Sequence, residues 1–296
     1  MQNQKPTSEN LPRAIVHVCI EDLYASIASR DRLELCNRPF VTGGEGSLVT
    51  SSNHLAYSLG IQKGMTLIDA LEIYPSLEIV PTDFEAGAAS SEAMFDAMRQ
   101  LSHRVETSGL HRGFVDITRS GVCASATYEA VVRELGDVIK RRTGLPVLLG
   151  LSLNRTLAAI AGQAGSSGGV IVLPRRFLSL FLTRTPVADI PGMTTNQAAQ
   201  LRQFHIITAS DLASQSESWV KQLLGSVGVD LWRELQGEYV YQIGLSTIGN
   251  DAFQPHIHDR SGPDAPRSKA RREKMVFPAW LDLNLAFSRL TTGMNF

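Results

Sequence analysis

Hydrophobic residues recur along this chain at two spacings, and the spacing changes from segment to segment. The stretch "AIVHVCIEDLY" (14–24) opens on β-branched residues in near alternation, which predicts a buried strand. "RPFVTGG" and "GSLVTSS" predict two strands joined around Gly43-Gly44-Glu45-Gly46. "SNHLAYSLGI" and "TLIDALEIYP" have helical spacing, the first closed by Gly60 and the second by Pro75. "LEIVPTDF" (77–84) returns to strand. In "ASSEAMFDAMRQLSHRVE" (89–106), Met94, Met98 and Leu101 share one helical face, with Ser90 or Ser91 as the candidate cap.

The run Phe114–Thr118 is strand material, but Gly109, Leu110, His111, Arg112 and Gly113 precede it. A histidine beside an arginine in mid-sheet demands a reason, because a buried charge is costly unless paired. A helix over 128–144, a strand over 145–153 and a helix over 154–165 follow. Strands alternating with amphipathic helices predict an α/β or α+β sheet domain. From residue 171 the helices shorten, and "ADIPGMTTNQAAQLRQFHIITASDLA" reads as helix–turn–helix pairs around a Pro-Gly turn. After Gly244 a polar, proline-bearing stretch without periodicity predicts a linker or disorder, and a short apolar segment, "MVFPAWLDLNLAFSRL", closes the chain.

Composition narrows the function classes. With 296 residues, 43% of them hydrophobic and 19% charged, the chain can bury a real core. No apolar run approaches the ~20 residues of a membrane span, and the polar start has no hydrophobic signal core. Three cysteines without a C-x-x-C pair argue against a disulfide framework and a structural zinc, and a cytoplasmic setting is expected. Net charge is −1, from 28 basic and 29 acidic residues. Without a basic excess, DNA affinity must come from local patches or be weak or absent.

Taken in order, the segments resemble the Y-family translesion DNA polymerases of the DinB/UmuC type. "IVHVCIEDLYASIA" is similar to the family's opening h-h-H-V-D-x-D-x-F-F-A-S-V-E, and "RDRLELCNRPFVTGG" to R-D-P-x-L-x-x-x-P-V-x-V-G-G. "SSNHLAYSLGIQKGM" resembles the finger motif A-S-Y-E-A-R-x-x-G-V-x-x-G-M, and "YPSLEIVPTDF" its continuation. "VETSGLHRGFVDIT" resembles the palm strand V-E-x-x-S-I-D-E-A-F-L-D-V-T. "LGLSLNRTLAAIAGQAG" resembles G-I-x-x-N-K-x-L-A-K-I-A-S, and "IPGMTTNQAAQLRQFHIITASDLA" the thumb hairpin I-P-G-I-G and its next helix. The resemblance implies an α+β fold of palm and fingers with a small helical, helix-hairpin-helix-like thumb and no complete little finger. It divides the chain into a disordered lead (1–12), a palm (13–22 and 86–170), fingers (23–85), a thumb (171–244), a linker (245–275) and a short tail or little-finger stub (276–296).

The resemblance also implies two magnesium ions held by three carboxylates, at positions that here read Cys19, His111 and Arg112. An arginine 4 Å from a divalent ion opposes it by roughly 8 kcal/mol at an effective dielectric of 20. Positions implied to meet the nucleotide hold Tyr24, His54, Tyr57 and Arg155, and those of the DNA-contacting thumb turn hold Gly192 and Thr194. Glu21 and Asp116 are the expected charge partners of Arg112. From these departures the expectations are no catalytic residue, no metal, no cofactor and no enzyme. The implied role is a non-catalytic accessory or assembly protein in damage-induced translesion synthesis, resembling the ImuB group, with an error-prone polymerase, a RecA-like protein and the sliding clamp as partners. The tail segment "DLNLAF" offers Leu283, Leu285 and Phe287 as clamp-binding anchors, or else begins the little-finger stub. Three alternatives stay open: an active polymerase with atypical ligands, a zinc site of Cys19, His111 and Glu21, and a regulator that occupies primer termini.

Overall fold

The architecture follows from two strand faces with different demands. The structure, a computed structural model, describes residues 11–44, 48–118, 126–165 and 168–244. Eight strands are present among them: β1 (Ile15–Cys19), β2 (Phe40–Thr42), β3 (Ser51–Ser52), β4 (Glu78–Val80), β5 (Val105–Thr107), β6 (Arg112–Asp116), β7 (Leu148–Ser152) and β8 (Val170–Val172). The helices are α1 (Leu23–Asp31), α2 (His54–Ser58), α3 (Leu67–Ile73), α4 (Phe84–Leu101), α5 (Tyr128–Thr143), α6 (Arg155–Ala164), α7 (Leu178–Leu182), α8 (Thr195–Gln203), α9 (Ala209–Ala213) and α10 (Glu217–Leu235). The larger sheet has the order β5-β6-β1-β7-β8 and the smaller one β3-β2-β4. All pairs of the larger sheet are antiparallel except β7 with β8.

Register decides which side chains face which layer. Val16 opposes Val115 and Leu151, and Val18 opposes Leu149. This face buries against Met94 and Met98 of α4 and Val132, Leu135 and Ile139 of α5, forming the main core. The other face carries Ile15, His17 and Cys19, opposed on β6 by Asp116, Phe114 and Arg112. Helix α6 covers part of it, and two glycines permit that close approach. A Cβ on Gly150 would lie 2.0 Å from the Ala158 carbonyl oxygen, and one on Gly162 would lie 2.7 Å from His17 Nδ1.

The predicted elements are found, with boundary corrections of clear physical origin. Helix α4 begins at Phe84 rather than 89, because the Asp83 side chain accepts the Ala86 N–H at 2.8 Å. Ser90 and Ser91 are therefore buried helix-interior residues, not caps. The strand predicted over 77–84 stops at Val80, next to Pro81. Strand β6 begins at Arg112, so the polar pair is split between the β5–β6 turn and the first strand residue.

The C-terminal helical part shares the main core and is tied to helix α6 through a buried carboxylate. Glu234 of α10, fully buried, accepts the Thr156 N–H at 2.9 Å and the Tyr241 N–H at 3.3 Å. Asn154, which caps α6, donates to the Glu234 and Glu238 carbonyls. The expected linker, tail and anchors Leu283, Leu285 and Phe287 lie outside the described residues.

Candidate functional site

The end of β1 next to the β5–β6 turn gathers the unusual side chains. The chain reverses over Ser108–His111 with Gly109 at φ +91°, a conformation that glycine adopts without a side-chain clash. The Ser108 N–H donates to the Arg112 carbonyl at 3.0 Å, and the Ile20 N–H to the His111 carbonyl at 2.7 Å. These bonds lock the turn against β1 and set Arg112 directly across from Cys19. Cys19, His111 and Arg112 are thus neighbours.

Their ionisation is governed by burial and by the guanidinium. The half-buried Cys19 thiol is pushed up to about 12, chiefly by desolvation, so it stays protonated at pH 7. His111 is lowered to about 4 by desolvation, then by Arg112 and Lys63, so its ring is neutral. Its Nε2 accepts from Arg112 Nε at 3.2 Å and lies 3.0 Å from Nη2. His17, deeper on the same face, falls to about 3 and packs on the Phe114 ring at 5.1 Å. Asp22, in a left-handed conformation at φ 46°, is raised to about 6, mainly by desolvation and then by Glu21.

The expected charge partners of Arg112 are a correction. Asp116 is on the same strand face but four residues along, roughly 13 Å at strand rise. It pairs instead with Arg104, 3.2 Å away. Glu21 is exposed beyond the end of β1, and no ion pair of Arg112 with a carboxylate exists among the described residues.

The remaining predicted positions divide. Tyr24 packs edge-on against Phe84 at 5.5 Å, over Gly87, where a Cβ would come within 2.5 Å of its ring. His54 and Tyr57 lie on the exposed side of α2. Arg155 is 2% exposed and forms an ion pair with Glu106 at 2.9 Å, between the rings of Phe114 and Tyr241. Gly192 has φ +87°. Thr194 caps α8, and its own N–H donates to Gln197 Oε1 at 3.0 Å. That backbone donor is already occupied. Sequence reasoning misses Glu106 and Lys63. The hairpin register, which sets Glu106 across from Phe114, is a usable signal for the first; nothing local marks the second.

Comparison with known proteins places this arrangement in a family. The model of the impB/mucB/samB family matches residues 19–163. Over 284 residues the chain is 28% identical to "DNA polymerase IV 3" of Mesorhizobium japonicum, covering 94% of this chain and 73% of that relative. It is 26% identical over 255 residues to the DNA polymerase IV of Ectopseudomonas mendocina, covering 85% and 72%. The chain is a Y-family polymerase-like protein of the DinB/UmuC type. The fold agrees: DinB from Sulfolobus solfataricus superposes with a TM-score of 0.68 at 20% identity, covering 77% of this chain and 69% of that one.

The Y-family kinship corrects one expectation outright. The substituted positions lead to the expectation of no enzyme, an inactive polymerase homologue. The relatives that match most of the chain are named DNA polymerase IV, and its structural neighbours are Y-family polymerases, so that expectation falls. Three substituted positions describe how a site is built and do not by themselves establish inactivity.

The magnesium pair that the resemblance implies is a separate matter. Magnesium takes hard oxygen ligands in octahedral array. A protonated thiol, a neutral imidazole and a guanidinium supply no such oxygen, and no group of three His, Cys, Asp or Glu side chains is gathered for a metal among the described residues. The residues at these positions do not fit that pair.

Proposed function

We propose that the chain works in damage-induced translesion DNA synthesis in an accessory or assembly capacity, meeting primer terminus and nucleotide beside a second, error-prone polymerase. In this reading the larger sheet belongs to the palm (13–22 and 86–170), the smaller sheet to the fingers (23–85) and the helical part to the thumb (171–244). The observation that carries it is the trio of Cys19, His111 and Arg112, set together at the end of β1 where the resemblance implies metal-binding acids. A palm retained with a changed charge pattern suits a surface that holds substrates and partners in register. The sliding clamp and a RecA-like protein are the proposed further partners, as in the ImuB group that the sequence resembles.

A second reading is nucleotidyl transfer by this chain itself. The names of its relatives favour it, and Glu21 and Asp22 supply carboxyls beyond the end of β1.

Primer extension past an abasic site separates the two. The accessory reading expects the full chain to stimulate a second error-prone polymerase several-fold at equimolar amounts. Extension by the chain alone with magnesium, manganese or zinc, coupled with no effect on other polymerases, would overturn it.

A further inference from the structure

A cavity of about 640 Å³ opens at the start of β1, with Pro12, Arg13, Arg104, Leu153, Gly237 and Tyr239 in its walls. Ile15 and Cys19 are the two ends of that strand, roughly 13 Å apart at strand rise. The cavity is therefore separate from the trio of Cys19, His111 and Arg112. Residues just before β1, just before β5 and just after α10 meet there. Its volume lies within the ~300–1,000 Å³ of ordinary ligand pockets.

The cations around it are unequally committed. Arg104 is tied down, with Nη1 3.2 Å from the buried Asp116 carboxylate and Nη2 donating to the Thr118 carbonyl at 2.8 Å. Arg13 is exposed, and no carboxylate among the described residues comes within 4.0 Å of its nitrogens. Its guanidinium lies 3.9 Å from the centre of the Tyr239 ring. That cation–π contact orients the fork while neutralising none of its charge. Arg175 stands beside Gly237, donating to its carbonyl at 3.3 Å. Glu238, exposed between Gly237 and Tyr239, forms no ion pair with either Arg13 or Arg175. Asp116 balances Arg104, so an excess of positive charge remains.

The walls decide which anion fits. Single-stranded nucleic acid is held by bases stacked on open aromatic faces along a basic groove. Here Arg13 already covers one face of Tyr239, and the chain, at net charge −1, has no general basic excess. A carboxylate accepts two parallel N–H bonds from one guanidinium. Pro12 and Leu153 beside it offer apolar surface that a phosphodiester strand leaves unused and an apolar side chain covers.

We propose that this cavity docks an acidic peptide segment of a protein partner, one carboxylate seated on Arg13 and a neighbouring apolar side chain against Pro12 and Leu153. The inference goes beyond the accessory reading and does not depend on it, because Cys19, His111 and Arg112 take no part.

Fluorescence polarisation on the full chain, with short labelled peptides alternating glutamate with leucine or phenylalanine, tests it. Binding is expected, and the glutamine counterparts bind at least tenfold more weakly. Arg13→Glu, at an exposed position with no ion pair to break, weakens binding at least tenfold, and Arg13→Ala weakens it less. Arg133→Ala, on α5 and outside the cavity walls, leaves it unchanged. Failure of every peptide to bind, equal affinity for the glutamine counterparts, or equal affinity in the wild type and a correctly folded Arg13→Glu variant would overturn the proposal. Oligothymidylate that binds more tightly than the peptides, with the same dependence on Arg13, would assign the cavity to nucleic acid and sink it too.

Discussion

Arg112, on β6, and Arg155, at the start of α6 over the Phe114 ring, lie on one side of one sheet and live under opposite conditions. Arg155 is buried, paired with Glu106 and enclosed by aromatic rings. Burial outweighs pairing on both members: the guanidinium is held below its ordinary value and the carboxyl above its own. Arg112 is half-buried, leans on a neutral imidazole and has no carboxylate within ion-pair reach among the described residues. The contrast separates a cation that the fold needs from one that the fold merely tolerates. A buried pair adds little over a well-packed apolar one, yet losing one partner strands the other. An arginine without a carboxylate partner strands no buried anion when removed.

The comparison can be broken most severely at the helix that carries Arg155. Gly150→Ala places a methyl against the backbone of α6, at 2.0 Å from the Ala158 oxygen and 2.3 Å from the Gly162 nitrogen. Helix α6 must lift, and destabilisation above about 3 kcal/mol is expected by chemical denaturation. Next in size, Arg155→Ala leaves Glu106 beside an unfilled space and is expected to cost about 3 kcal/mol in the same assay. A loss below about 1 kcal/mol would mean that Arg155 is free to serve a ligand.

Acid sharpens the picture of the neutral face between the two arginines. His17 titrates near 3 in the folded chain against an ordinary value of 6.5, so the unfolded chain binds more protons in that window. Stability is therefore fully present above pH 6.5 and falls as pH drops toward 3, by up to about 1.4 kcal/mol per pH unit for one group. His111, lowered to about 4, adds a loss of the same sign. Denaturation midpoints measured across pH 3.5–7 should flatten in a His17→Gln variant; an unchanged slope would place the titrating group elsewhere.

The smallest expected effect is the most telling. Arg112→Ala should change stability by no more than about 1 kcal/mol, the net worth of a hydrogen bond to a neutral ring, because no ion pair is broken. A loss of 2 kcal/mol or more would make Arg112 a second Arg155 and erase the contrast.

Much of this is legible in the chain, for reasons that differ by element. β-branched alternation at Ile15–Val18 and the helical stripe of Met94 and Met98 are local patterns, and they locate β1 and α4. The start of α4 escapes the pattern because a side-chain cap from Asp83 outcompetes the serines, a contest among neighbours that periodicity does not register. Asp116 suggests itself as a partner of Arg112 because it shares strand period with it, and Glu21 because it lies two positions past Cys19; distance along β6 and the presence of Arg104 remove the first, and Glu21 ends up exposed beyond the end of β1.

The order of residues alone determined the family, the sheet and the three odd positions at Cys19, His111 and Arg112, since each is carried by a short contiguous pattern. Only the tertiary structure decided which charges meet. Glu106 reaches Arg155 across 49 positions, Arg104 reaches Asp116 across a hairpin, and Lys63 acts on His111 from outside the larger sheet. Coulomb interactions depend on separation in space and on local burial, and neither quantity is written in sequence distance.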